Sequence, residues 1–341
     1  MKRDCSNCLT HDLDGEPCRP RSVTQMQWWR RSLQAGFFVL FILAPLLDIF
    51  RVDVTQAHVV LFGQVWSLGI NALIQGESSG PQAVLSLILR GLLPLLLLVI
   101  GFGWIAWRYG RLYCGWLCPH FSVVELINGL MRRASARPSV WEKRPLPQTR
   151  ADGRPLPVRR VYWWLVALAG VGFAFLWALA LLTYLLPPTQ IYSNLVHLSF
   201  TRNQTIFLSA ATIVLMLEFF LARHLFCRFG CAVGVFQSLV WMANKRGMVV
   251  GFDRQRVAEC SSCASHCEHA CPMRLKPRSI KRQMFTCTEC GQCIAACEQV
   301  QANVQPGKPP LLQWLQGDCA LDTSARDFGK RPAIPPNCYR R

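Results

Sequence analysis

The chain has 341 residues, 52% of them hydrophobic and 16% charged, with a formal net charge of +18 and 17 cysteines. Its apolar residues gather in runs too long for a soluble core, which excludes an ordinary globular domain and points to a membrane protein. Lys and Arg collect in cytoplasmic loops of membrane proteins, so the basic excess reads as topology, and nucleic acid is not an expected partner.

In chain order, residues 1–32 form a polar cytoplasmic segment carrying Cys5, Cys8 and Cys18. Four stretches are long and apolar enough to cross a bilayer, about 33–50, 84–107, 161–186 and 205–222. Trp28, Trp29, Trp104, Trp107, Trp163 and Trp164 flank them as interfacial aromatics do. Lys and Arg number 6 before the first span, 11 in 108–160 and 17 after the last, against 1 in 51–83 and 1 in 187–204. That asymmetry predicts a multi-pass protein of the bacterial cytoplasmic membrane with both termini inside. The weaker apolar segment Ala57–Ile74 reads as outer loop, because a fifth span would move a basic segment outside. Met1–Pro20 lacks the pattern of a cleavable leader, so the first span is expected to stay as an anchor. Arg90 and Glu218 lie inside spans, where ionisable groups are expensive; Glu218 is the better candidate for a proton-linked role.

Two Cys-x3-Cys motifs follow the second and fourth spans, Cys114 with Cys118 and Cys227 with Cys231, offset by 113 residues. Each precedes a short amphipathic stretch, so the membrane domain, 33–252, reads as two pseudo-repeated halves. Cysteines at i and i+4 share a helical face. Four thiols converging at the inner boundary are the candidate catalytic residues, able to hold a metal, a further cluster or two dithiol pairs.

Residues 253–304 carry eight more cysteines: Cys260, Cys263, Cys267 and Cys271-Pro272, then Cys287, Cys290, Cys293 and Cys297. Three closely spaced thiolates take three corners of a cubane, and the fourth ligand comes from the other motif. This predicts one [4Fe-4S] cluster on Cys260, Cys263, Cys267 and Cys297 and a second on Cys287, Cys290, Cys293 and Cys271. Paired structural zinc sites are the competing reading, since they also use four thiolates. The first motif has three residues between Cys263 and Cys267 where two are usual. The fold expected is an α-helical membrane protein of four transmembrane helices, followed by a small α+β ferredoxin domain and a poorly ordered Pro-rich tail over 305–341.

The order Cys-Gly-Trp-Leu-Cys-Pro, Cys-x3-Cys, then two four-cysteine motifs after four spans resembles the membrane polyferredoxins of the FixG/RdxA/CcoG cytochrome-oxidase accessory type. NapH and the membrane part of NosR are similar. The likeness covers roughly residues 28 to 305 and lacks the immunoglobulin-like domain of the accessory proteins. It implies a membrane-bound iron–sulfur electron-transfer protein, linked to a quinol or cytoplasmic donor and to a respiratory or metal-reducing partner protein. Quinol dehydrogenase or cupric reductase activity, assembly of a haem–copper oxidase and redox sensing are the roles that such a protein could fill.

Overall fold

The computed structural model describes residues 23–54, 58–69, 73–74, 76, 79–142, 145–261, 263–304 and 308–325. Cys5, Cys8 and Cys18 fall outside the described residues. Among those described, three helices are long and apolar enough to cross a membrane: α2 (Gly80–Tyr109), α5 (Tyr162–Leu185) and α7 (Arg202–Ala222). The first expected span lies in α1 (Val23–Leu46), which starts earlier and stops before Phe50, with Pro45 at its end. Gln27, Arg30 and Arg31 make its first turns polar, and Arg30 is fully buried in contacts described below.

The outer segment folds as a three-stranded antiparallel meander of β1 (Phe50–Asp53), β2 (His58–Leu61) and β3 (Gln64–Trp66). Within the apolar stretch rejected as a span, residues 58–66 are thus strand and turn. The meander sits at the far end of α5, where Val54 N–H donates to the Leu185 carbonyl at 3.1 Å. Both ionisable residues read inside spans lie in π turns, Ile88–Leu92 and Glu218–Ala222, local widenings often found at functional sites.

Shorter helices connect the spans, α3 (Leu112–Trp116), α4 (Pro119–Ser135) and α6 (Pro188–Val196), and α8 (Ala232–Ala243) follows the last of them. On α4, Val124, Ile127 and Met131 recur at helical spacing and are buried, so this amphipathic helix lies across α5 and α1. α5 buries Gly170, Ala174 and Ala178 on one face, and these small residues let α7 approach closely. A β-carbon at Gly170 would overlap the Phe220 ring.

Past α8, β4 (Val249–Phe252) precedes the first cysteine motif, which carries the short α9 (His266–Ala270). The second motif leads into α10 (Gln292–Val304), followed by β5 (Leu312–Leu315) and α11 (Asp318–Ala325). β4 and β5 pair antiparallel, Val249 opposite Leu315 and Phe252 opposite Leu312. The segment expected as a poorly ordered tail therefore supplies a strand and a helix before Ala325. One apolar core runs from α4, α7 and α8 into this module, joining Phe121, Phe219 and Trp241 to Met273, Met284 and Ile294.

Candidate functional site

A cavity in the cysteine-rich module is walled by Cys260, Cys263, Cys267 and Cys297, together with Phe252, Leu311 and Leu312. These four thiols come from both motifs. Ser265 takes up the additional residue of the first motif by adopting φ 55°, so α9 starts there and Cys267 turns back onto the cavity. Arg278 closes one side, donating to Ser265 Oγ at 3.2 Å and to Glu268 at 2.7 Å. Burial pushes Cys267 up to about 12 despite the nearby Arg278 cation. A buried thiol of this kind keeps its proton until a metal displaces it.

Cys271, Cys287, Cys290 and Cys293 form a second group. Burial comes first in raising all four; after it, Cys290 acts on Cys271, Cys290 and Cys271 act on Cys293, Glu289 acts on Cys287 and Glu125 acts on Cys290. Cys293 also feels Cys267 of the first group, so the two quartets meet at that pair. Cys271 accepts the Leu275 N–H at 3.4 Å. The Cys287–Cys293 loop bends through Glu289 and Gly291, both at positive φ. A β-carbon at Gly291 would collide with the Trp314 ring.

This loop rests on the first membrane-edge motif. Trp116 Nε1 donates to the Glu289 carbonyl at 3.1 Å, and Gln27 Nε2 to the Cys290 carbonyl at 2.8 Å. A β-carbon at Gly115 would overlap the Thr288 carbonyl oxygen, so only glycine allows this landing. The buried Arg30 guanidinium binds Glu125 at 2.6 and 3.0 Å and the Gly115 carbonyl at 3.0 Å. Gln292 Nε2 reaches the same carboxylate at 2.5 Å. A second clamp is Lys281, whose ammonium donates to the carbonyls of Trp241 and Asn244 at 3.2 and 2.6 Å.

Cys114, Cys118, Cys227 and Cys231 come together beside that landing place. Burial pushes Cys118 up to about 12, with Cys114 and Cys231 adding to it. Cys227 is likewise raised, by burial and then by Cys118, Glu218 and Cys114. The Cys114 thiol donates to Gln237 Oε1 at 3.4 Å. Arg111 Nη2 lies 3.8 Å from Cys114 Sγ and donates to the Cys227 carbonyl at 2.6 Å. His120 Nδ1 stands 3.6 Å from Cys227 Sγ, and its Nε2 meets Glu218 at 2.5 Å.

Sequence reasoning missed Arg111, His120, Gln237 and the Arg30–Glu125 pair. The available signal was spacing: Arg111 precedes Cys114 by one helical turn, and His120 follows Cys118-Pro119 directly. Of the basic residues between the motifs, Arg274 is paired to Glu142 and Arg278 to Glu268, while Lys276 is exposed.

A family model described as a 4Fe-4S binding domain matches the chain twice, at residues 91–138 and 203–248. Those segments contain Cys114, Cys118, Cys227 and Cys231 and stop before Cys260. YccM of Escherichia coli strain K12, named for electron transport, is 25% identical over 203 residues, covering 59% of this chain and 53% of that protein. The ferredoxin-type protein NapH of Haemophilus influenzae is 20% identical over 284 residues, covering 80% of this chain and 86% of NapH. These matches bear out the likeness to the membrane polyferredoxins. An uncharacterized protein of Methanocaldococcus jannaschii is also similar, 26% identical over 193 residues, 56% of this chain and 70% of that one. This polyferredoxin-like chain spans about half the length of YccM. No solved structure matches. The comparisons give this chain two segments similar to 4Fe-4S binding domains, and three of its described helices are long and apolar enough to cross a membrane.

Proposed function

We propose that the chain passes single electrons between a quinol or reduced cytoplasmic carrier and a redox partner protein, through iron–sulfur centres at the inner face of the bacterial cytoplasmic membrane. Cys260, Cys263, Cys267 and Cys297 would hold one [4Fe-4S] cluster, and Cys271, Cys287, Cys290 and Cys293 a second. When bound, such clusters supply reversible one-electron chemistry. The observation that carries this reading is the cavity walled by all four thiols of the first set. The donor chemistry fits: an all-thiolate set, the Arg278 cation close by, and a backbone N–H aimed at the Cys271 sulfur. Among the described residues no three His, Cys, Asp or Glu side chains close around a single ion.

The protein's own residues set the working conditions. Burial keeps water from the Cys287–Cys293 loop, and Arg30 holds a positive charge near Cys290. Replacing Cys263 or Cys290 with Ala, followed by anaerobic purification of the full chain in detergent, is expected to remove about four iron atoms in each case. Stoichiometric zinc in place of iron would overturn the proposal.

The membrane domain is read as two halves, α1 with α2 and α5 with α7, each ending in a Cys-x3-Cys motif. The double match of one family model supports this. With α1 as the fourth span, the cysteine end faces the cytoplasm and the β1–β3 meander the periplasm. A fusion reporter at Gly153 is expected to behave as cytoplasmic and one at Asn203 as periplasmic; the reverse pattern would sink the orientation.

A further inference from the structure

We propose that Arg132, Arg223, His224, Arg228 and Arg274 frame a binding site for a phosphate group where α7 leaves the membrane, and that an anionic phospholipid supplies it. The inference rests on α7 as a span and is independent of the clusters. Arg223 and His224 directly follow the last turn of α7 and are 1% and 6% exposed. Nε of Arg132, Arg223 and Arg228, Nδ1 of His224 and Nη1 of Arg274 are all buried. None of these nitrogens has a hydrogen-bond partner among the described residues.

The stretch after α4 draws these groups together. Arg223 Nη1 donates to the Pro138 carbonyl at 2.8 Å and to Asn128 Oδ1 at 3.2 Å, and Arg132 stands one helical turn beyond Asn128 on α4. Glu142, close behind Pro138 in the chain, binds Arg274 of the ferredoxin module at 2.7 and 3.0 Å. Arg228 follows His224 by about one turn of the same helical stretch. Arg223 and Arg274 both hold positive φ, 41° and 56°, a strained conformation that persists where the surroundings enforce it. The electrostatics agree: burial, then Arg228, Arg274 and Arg223, lower His224 to about 4, and burial followed by Arg274 and Arg150 lowers Arg132.

The guanidiniums bring positive charge in excess, since Glu142 is already engaged by Arg274. Buried cations without an anion are costly, and the planar forks of arginine match the oxygens of a phosphate, several at once. Free phosphate shares this chemistry, but the place favours a lipid. Trp141, 63% exposed, donates from Nε1 to the Leu221 carbonyl at 2.7 Å, the position of an interfacial tryptophan. Leu221, Phe226 and Phe229 are exposed on the stretch of chain that carries Arg223 and Arg228, giving acyl chains apolar surface beside the headgroup. Basic pockets at the end of a span are a recurrent form of lipid-headgroup site. A phosphate held between Arg223 and Arg274 also braces the ferredoxin module against the membrane domain.

The test titrates the full-length protein in detergent, purified anaerobically, with phosphatidylglycerol, phosphatidylcholine or inorganic phosphate. Thermal stability and the lipid retained in native mass spectrometry are read, and iron is counted in parallel. About one phosphatidylglycerol per chain is expected to be retained and to raise the melting temperature, with phosphatidylcholine doing neither. Arg132→Gln and Arg228→Gln, both half-buried, should weaken phosphatidylglycerol binding about tenfold or more, and Arg154→Gln, an exposed loop arginine, should leave it unchanged. A shift with inorganic phosphate that the first two variants abolish keeps the phosphate site and overturns the lipid as its source. Equal phosphatidylglycerol binding in all three variants and the wild type overturns the site, as does a wild type that responds to none of the three probes. Iron near zero with lipid binding intact sinks the cluster reading and leaves this one standing. If the variants do not fold, the wild-type retention of phosphatidylglycerol over phosphatidylcholine decides.

Discussion

Replacing Arg30 with Met is expected to destabilise the protein by about 3–5 kcal/mol, because it strands a partly buried carboxylate. Arg30 gives Glu125 two hydrogen bonds and also holds the Gly115 carbonyl. Without it, Glu125 keeps, among the described residues, the amides of Gln34 and Gln292. The double variant Arg30→Met with Glu125→Gln carries no stranded charge and should recover much of the loss. Denaturation followed in detergent measures both. A single variant as stable as the wild type would mean that the pair is not structural. Since α1, α4 and the Cys287–Cys293 loop all meet at this carboxylate, the single variant should also weaken reduction of the ferredoxin module.

Gly115→Val is the second large effect. The added side chain would overlap the Thr288 carbonyl, and backbone there cannot move aside without lifting the loop off the membrane edge. Overpacking of this kind costs about 1–3 kcal/mol, so the equilibrium constant for docking should fall roughly 5- to 150-fold. Iron content should remain, since no ligand is touched, while transfer from the membrane-edge site to the module slows. Gly129→Ala is the control: it lies on the exposed side of α4 with nothing within 4 Å, and should gain roughly 0.5–1 kcal/mol of helix stability. Equal cluster reduction rates in Gly115→Val and wild type would remove this contact from the electron path.

Much of the candidate site was legible because cysteine spacing is a local code. The grouping of Cys260, Cys263, Cys267 and Cys297 around one cavity follows from motif arithmetic alone. What spacing could not tell was how the longer Cys263–Cys267 interval is absorbed, since a left-handed Ser265 depends on the surrounding packing. The spans of α2, α5 and α7 were legible from hydropathy, with the π turns in α2 and α7 invisible to it. α1 was misjudged at both ends: the apolar run hid that its first turns serve the ferredoxin loop, and Phe50 belongs to a strand. Strand β5 escaped because four residues in a Pro-rich setting show little periodicity, and their partner β4 precedes both cysteine motifs. Arg111 and Arg30 were counted as topological charge, since one side chain's burial is a tertiary fact that composition does not carry.

The β4–β5 pairing also sets the timing of assembly. Every thiol of the first cavity has been synthesised once Cys297 is in place, yet Leu311 and Leu312, which form part of the wall, come later. The first cavity is complete only once Leu312–Leu315 has paired with Val249–Phe252, so a chain cut before Leu311 is expected to keep all four thiols yet leave them without this wall.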